Sequence, residues 1–472
     1  MRQRKTKIIC TLGPATDSRE GIAALLDAGM DVVRLNFSHG DCETHRATIR
    51  RIRKVAAENG REVGILQDLG GPKIRLGELP EAGIDLVAGS KVALGVEGRT
   101  AEGVLPVGYP YLLEDVTAGE RILLADGLAE LEVVEVTGDH LLCDVINGGT
   151  VTSRKGVNLP QAKLRVAAFT DKDRADLEVG LEEGVDFVAL SFVRHENDLA
   201  PVRKRLSRVE HPPLLIAKIE KPQAVDRIDP ILEAVDGVMV ARGDLGVEMP
   251  PEQVPMIQKR IIAATRRAGK PVITATQMLR SMVDSPRPLR AEASDVANAV
   301  LDGTDAVMLS EETAIGRFPT RAVGVLHSVA LEAEREIDHS KMIEDSASSS
   351  VPEVTAAISR AACDLAASID ADAIVTATTS GATARLVARL RPAAPVLGIT
   401  TTRAVIRQLS LSWGVIATRI DVSEDLAGMG SELRDALSQY GLDAPGSRVV
   451  ITAGLPLGVS GSTNLLQVRE FD

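Results

Sequence analysis

Eight short runs of β-branched and aliphatic residues punctuate the first two thirds of the chain, and most are followed by an amphipathic stretch rich in Ala and Leu. They read KTKIICTLGP, DVVRLNFSHG, EVGILQDLGGP and, after a gap, VDFVALSF, LLIAKIE, DGVMVARGDLG, PVITATQML and DAVMLSEETAIG. Strands that alternate with helices pair in parallel through right-handed crossovers. Eight such units predict an α/β chain with a (β/α)8 barrel, whose active sites lie at the C-terminal ends of the strands. The gap has another texture: short strands, tight Gly turns and little helical period, as in ERILLADGLAELEVVEV. It reads as a small β-barrel domain inserted after the third strand. Its place on the loop face suits a mobile lid. Beyond the polar, Ser-rich MIEDSASSSVP, a second alternating segment reads as an open α/β sheet. The expected division is 1–69 with 166–341 for the barrel, 70–165 for the lid and 342–472 for the C-terminal domain.

Composition bounds the partners. A chain of 472 residues is too long for one ordinary core. Only 2% of it is aromatic, so Val, Ile, Leu and Ala must fill the cores. The net charge of -12, with no basic tail, argues against nucleic acid, whose phosphates attract basic surfaces. A small phosphorylated ligand in a local basic pocket remains open. The four cysteines are scattered and form no CxxC pair, so neither a zinc site nor a disulfide framework is expected. No apolar run is long enough to span a membrane, and the basic N-terminus lacks a signal peptide's long apolar region. A cytoplasmic protein without membrane partners is expected.

The polar residues cluster where a barrel needs them. Arg34, Asn36 and Ser38 share one face of the second strand, because residues i and i+2 point the same way. Asp68 ends the third strand, Lys218 and Glu220 the fifth, Asp244 follows the sixth, Thr276 the seventh, and Ser310 and Glu312 the eighth. Singly, each has a plain explanation. Arg34 with Asp68, or Lys218 with Glu220, suits an ion pair, and Asp244 suits a turn or helix cap. Together, charges at most of eight strand ends are costly unless they bind something. Glu220 and Asp244 are hard oxygen ligands without a matching His or Cys, which suits Mg2+. Arg34 and Lys218 suit a phosphate. Such a set serves phosphoryl transfer, in which the protein positions groups and neutralises charge. No P-loop or protein-kinase motif is present, so a nucleotide must be held otherwise. Arg75, Arg154 and Lys155, at the junctions of the inserted domain, suit either a polyphosphate or a solvated basic hinge.

At this point the chain resembles the pyruvate kinase family. TLGPAT, RLNFSHG, GPKIR, KGVNLP, AKIEKP, MVARGDLGVE, ATQML, RAEASDVANAV and MLSEETAIG match its motifs in order along the whole sequence. The resemblance implies a barrel, a lid, an effector-type C-terminal domain and, usually, a homotetramer. It implies phosphoryl transfer from phosphoenolpyruvate to ADP, the last step of glycolysis. Glu220 and Asp244 would hold Mg2+ (or Mn2+), and Lys218 would stabilise the moving phosphoryl group. Gly243 and Asp244 would offer backbone N–H groups to the substrate carboxylate. Arg34 would grip the phosphate, and Thr276 would lie near the carbon that is protonated. Arg75 and Lys155 would contact the phosphates of ADP or ATP, with Asn36, Phe37, Ser38 and His39 along the nucleotide side.

The sequence departs from the family at three places. Many members have Thr where Leu69 stands and Glu where Lys73 stands. That Glu accompanies a K+ requirement, and Lys accompanies its absence, since a tethered ammonium can replace a bound cation. The other K+ ligands, Asn36, Ser38 and Asp68, are retained, but activity without K+ is expected. Glu311 stands where Gly is commoner, with no functional reading. The C-terminal TTSGAT (Thr378, Thr379, Ser380, Gly381, Ala382, Thr383), ahead of Arg385 and Arg389, resembles an effector phosphate loop. A plain Ser/Thr-capped helix would look similar. The last loop, GLPLGVSGSTN, lacks the Trp and Arg that clamp fructose 1,6-bisphosphate in some relatives. A sugar monophosphate or AMP is as plausible an effector. Two competing readings are a Mg2+-dependent barrel lyase acting on an enolate-forming keto acid and a metabolite sensor that lost the chemistry. Dependence on ADP separates the first, and intact Lys218, Glu220, Asp244 and Thr276 argue against the second.

Overall fold

The computed structural model describes residues 4–344, 351–420, 430–454 and 463–471. The eight expected strands all form: β1 (Lys7–Thr11), β2 (Val32–Asn36), β3 (Gly64–Leu69), β4 (Phe187–Leu190), β5 (Leu214–Ile219), β6 (Gly237–Ala241), β7 (Val272–Ala275) and β8 (Ala306–Leu309). They close into one parallel barrel in sequential order, with β8 against β1. Alternation divides their side chains. Ile9, Leu66, Ile216, Met239 and Ile273 fill the barrel interior. Their neighbours Ile8, Ile65, Leu215, Val238 and Val272 pack outward against the helices. Both faces are buried, which is why these strands read as nearly unbroken apolar runs. Helices start on Ser18, Asp41 and Thr170, whose side chains accept from backbone N–H groups, and stop on left-handed Gly29, Gly184 and Gly303.

One device recurs at the N-terminal end of the barrel. An aspartate precedes every even strand: Asp31, Asp186, Asp236 and Asp305. Each carboxylate accepts from a backbone N–H of the preceding odd strand: Ile8, Ile65, Leu215 and Val272, at 2.8 to 3.0 Å. Each also has an arginine: Arg4, Arg53 with Arg407, Arg203 and Arg391 respectively. The strand starts are thus tied in pairs, and Arg391 and Arg407 bring in the C-terminal domain.

The inserted region has its own apolar core, from Ile74 to Ala162. It holds a six-stranded sheet and a two-stranded ribbon, with its two connections to the barrel side by side. The C-terminal sheet comprises β9 (Ala373–Ala377), β10 (Val396–Thr400), β11 (Val415–Arg419), β12 (Arg448–Ala453) and β13 (Leu465–Glu470), in the order β11-β10-β9-β12-β13. Only β13 is antiparallel. Most of the Ser-rich linker and of the GLPLGVSGSTN loop lie outside the described residues. Among the described residues, no helix is long and apolar enough to cross a membrane.

Candidate active site

The strand register assembles the charges. β2 and β3 place Asn36 opposite Asp68. Arg34 Nε donates to Asp68 Oδ2 at 2.7 Å, and its Nη1 donates to Thr11 at 3.0 Å. Lys218 Nζ lies 3.1 Å from Asp68 Oδ1 and 2.9 Å from Glu220 Oε1. The result is a buried chain of alternating charge, Arg34–Asp68–Lys218–Glu220. Burial pushes the Asp68 carboxyl up, but Lys218 and Arg34 outweigh it and hold it below the usual range. Burial likewise pushes Lys218 down, yet Asp68 and Glu220 keep it above an ordinary lysine. Glu220 goes the other way. Burial and the nearby Asp244 push it up more than Lys218 pulls it down.

Two residues without a sequence signal hold this chain in place. Ser191 Oγ receives the Lys218 ammonium at 2.7 Å and donates to the Leu69 carbonyl at 2.7 Å. The Phe192 N–H donates to Glu220 Oε2 at 2.7 Å from a left-handed backbone, φ 55°. Glu220 Oε1 is buried and accepts no hydrogen bond. Its 2.9 Å contact with Lys218 Nζ is an ion pair.

On the far side of the mouth, Asp244 lies in the first turn of the helix Arg242–Glu248. The Gly243 N–H donates to Thr276 Oγ1 at 2.7 Å. Thr276 and Gln277 both have left-handed backbones, at φ 65° and 57°. This is strained for a β-branched residue and worth about 1–3 kcal/mol. Arg242 holds the turn by donating to the carbonyls of Ala275 and Thr276. Lys73 and Asp126 of the inserted region face Asp244, Thr276, Ser310 and Glu311 across a cleft of about 310 Å³. Glu311 pairs with Arg280 at 2.7 Å, both half exposed. The extra carboxylate therefore has a cation of its own.

The remaining expected residues are placed as follows. Ser38 and His39 are exposed at the end of β2. The Phe37 side chain is buried and stacked on His45, its N–H donates to the Asp68 carbonyl and its carbonyl accepts from Lys172 Nζ. Asn36 Oδ1 accepts from the Ser38 N–H. Lys73 Nζ is 3.7 Å from Asp126. Arg75 donates to the Arg154 carbonyl, and Lys155 is exposed beside it. Arg154 itself is held by Glu78 and Glu97. In the C-terminal domain, Thr378–Thr383 turn from β9 into the helix Ala382–Ala388 through left-handed Gly381. Arg385 donates to the Ser380 carbonyl, while its Nη1 is buried without a hydrogen bond. Among the described residues, no group of three or more His, Cys, Asp or Glu is placed to hold a metal. Glu220 and Asp244 would have to share one with water and substrate oxygens.

A barrel with an inserted β region beside a cationic, carboxylate-bearing mouth has the build of a phosphotransferase. The comparisons agree. Residues 3–323 match the family described as pyruvate kinase, barrel domain, and residues 356–469 match pyruvate kinase, alpha/beta domain. The chain is 46% identical to a pyruvate kinase of Geobacillus stearothermophilus, over 99% of this chain and 80% of that one. It is 44% identical to a pyruvate kinase of Agrobacterium vitis, over 99% and 97%. A crystal structure of a pyruvate kinase from Cryptosporidium parvum superposes with a TM-score of 0.93 at 38% identity, covering 100% of this chain and 97% of that one. The chain belongs to the pyruvate kinase family and is a phosphotransferase.

Proposed function

We propose that the protein transfers the phosphoryl group of phosphoenolpyruvate to ADP, giving pyruvate and ATP, with Mg2+ (or Mn2+) held by Glu220 and Asp244. The observation that carries this reading is the Lys218 ammonium, buried between Asp68 and Glu220 with Arg34 on the same chain of charges. The metal fits the site. Glu220 Oε1 is buried without a hydrogen bond, and two hard carboxylates leave room for water and substrate oxygens. When bound, the ion would neutralise the substrate's phosphate and carboxylate. The bond from phosphorus to the enol oxygen breaks as a bond from an ADP β-phosphate oxygen forms. Lys218 and Arg34 balance the charge on the phosphoryl group in flight. Gly243 and Asp244 meet the substrate carboxylate, for which the Gly243 N–H gives up its bond to Thr276 Oγ1. The enolate left behind takes one proton at its terminal carbon, on the Thr276 side, and becomes pyruvate.

Arg75 and Lys155 contact the nucleotide phosphates, beside Asn36, Phe37, Ser38 and His39. Lys73 stands in for K+, reaching the substrate from its place beside Asp126 and across the cleft from Asp244 and Thr276 rather than from within the Asn36, Ser38, Asp68 and Leu69 set. The loop Thr378–Thr383 receives a phosphorylated effector, a sugar phosphate or AMP, and the buried unpaired Nη1 of Arg385 supports this. The protein works in the cytoplasm as a homotetramer. Domain boundaries at 69/70, 165/166 and 341/342 are supported by the separate apolar cores. The test is pyruvate formation from phosphoenolpyruvate and ADP with Mg2+, free of K+ and NH4+, then with K+ added. Full activity without K+ is expected. Activity only with K+ would refute the role of Lys73. No activity in either buffer, with sugar phosphates and AMP present, would refute the proposed reaction.

A further inference from the structure

Three segments meet on one buried carboxylate at the root of the lid. Glu248 closes the helix Arg242–Glu248, four residues after Asp244. Its Oε1 accepts from Lys221 Nζ at 2.6 Å and from Asn158 Nδ2 at 2.7 Å. Lys221 directly follows Glu220, and its ammonium lies 5.9 Å from the centre of the Phe192 ring. Phe192 is the residue whose N–H holds Glu220. Asn158 belongs to the lid's returning connection. There Val157–Asn158 pairs with Leu123–Leu124 inside the lid, and the Val157 N–H donates to Ile74 on the outgoing connection. Asn158, Lys221 and Glu248 are each at most 8% exposed, so water does not stand in for any of them. The second oxygen, Glu248 Oε2, is buried and accepts no hydrogen bond.

An ion pair between Lys221 and Glu248 would suffice to neutralise charge. Asn158 adds none. Its amide gives direction, because a hydrogen bond weakens steeply once its angle or length departs from the favoured range. Swinging the lid root away from this position breaks that bond and leaves the carboxylate with one partner in a dry site. The lid's position is therefore coupled to the two segments that carry Glu220 and Asp244. Arg194 fixes the connection further along, donating to the carbonyls of Leu164 and Val166.

We infer that Asn158, Glu248 and Lys221 are positioning residues that set the lid and the two carboxylates Glu220 and Asp244 in one register for ADP and metal binding. The inference rests on the reading of Glu220 and Asp244 as metal ligands for its kinetic consequence, but not for the coupling itself. The test uses the full-length protein and three variants: Asn158→Leu, which keeps the size and removes the donor; Asn158→Asp, which sets two carboxylates against each other; and Asn158→Asp with Glu248→Gln, which reverses the bond and keeps the charge. Hydrogen exchange is read at 157–159 and 121–124 without metal or substrate, followed by steady-state kinetics. Asn158→Leu and Asn158→Asp are expected to speed exchange at those amides about tenfold. They are also expected to raise the KM for ADP and the half-saturating Mg2+ about five- to twentyfold, with kcat for saturated enzyme within threefold. The reversed pair should recover most of both. Faster exchange with unchanged KM would make the tie merely structural and overturn the inference. So would unchanged exchange, or a reversed pair no better than Asn158→Asp. A wild-type protein without pyruvate kinase activity would refute the proposed function, while the exchange arm would still report on the tie.

Discussion

The two ends of the barrel bury the same kinds of residue and treat them differently. At the N-terminal end, Asp31, Asp186, Asp236 and Asp305 each find a backbone N–H and an arginine. At the C-terminal end, Glu220 Oε1 and Ser310 Oγ are buried without hydrogen bonds, and Phe192, Thr276 and Gln277 have strained backbones. Saturated carboxylates fasten strands together. Glu220 keeps an oxygen without a hydrogen bond beside the Lys218 ammonium. The contrast holds for the carboxylates and not for every polar group, since Arg4 Nη1 and Arg391 Nε at the N-terminal end are also buried without hydrogen bonds.

Substitutions at either end test this contrast. Lys218→Met should lower kcat on the order of 10³-fold, since it removes a cation facing the transferring phosphoryl group. Its effect on unfolding should be small, because Asp68 keeps Arg34 and Glu220, already pushed up by burial, can take a proton. A large fall in the unfolding midpoint with kcat retained would reverse the assignment of the two ends. Asp305→Ala should do the opposite. It strips the counter-ion from fully buried Arg391 and a partner from Trp413, and about 3–5 kcal/mol of stability should go. Denaturant unfolding measures this, and turnover at 20 °C should stay within twofold.

Acid sharpens the same point. Burial pushes the Asp31 carboxyl up, but Arg4, Lys7 and the Ile8 N–H hold it below its ordinary value of 3.8. Its contribution to stability is thus complete above that value and is lost as pH falls through the lower, folded-state value. Wild type and Asp31→Asn should differ in urea midpoint by a constant amount from pH 7 to about pH 5. The gap should narrow below about pH 4. A gap that widens in acid would contradict the pairing. The smallest effect on stability belongs to Thr276→Gly. Relief of the left-handed backbone and loss of the hydroxyl's bonds should nearly cancel, within about 1 kcal/mol. Turnover should still fall roughly tenfold.

Much of this was legible in the sequence because it is written in side chains at fixed periods. The β-branched runs gave all eight barrel strands, and the charged residues at their ends gave Arg34, Asp68, Lys218, Glu220 and Asp244. What stayed hidden works through the backbone or across the fold. Phe192 acts through its N–H, and no side-chain pattern reports a backbone donor. Ser191 is a neutral hydroxyl beside a strand, indistinguishable from many others. Asp126 reaches the cleft only through the fold of the inserted region. Glu311 lacked a reading until Arg280, distant in sequence, was placed beside it. The four aspartates before the even strands were in plain view, but their N–H partners sit on the preceding strands.

Those aspartates also bear on the order in which the chain folds. Three of the ties join residues 23, 21 and 33 positions apart, whereas Asp186 must find Ile65 across 121. With the intervening segment unfolded, that closure costs about 1.5 kcal/mol more entropy than the tie of Asp31 to Ile8. Once the inserted region has collapsed on its own core, the bridge between Arg75 and Gly156 brings its two ends together and the long loop becomes a short one. The inserted region thereby acts as a clasp for the strands on either side of it, and a barrel interrupted between β3 and β4 closes most readily when the interruption folds first.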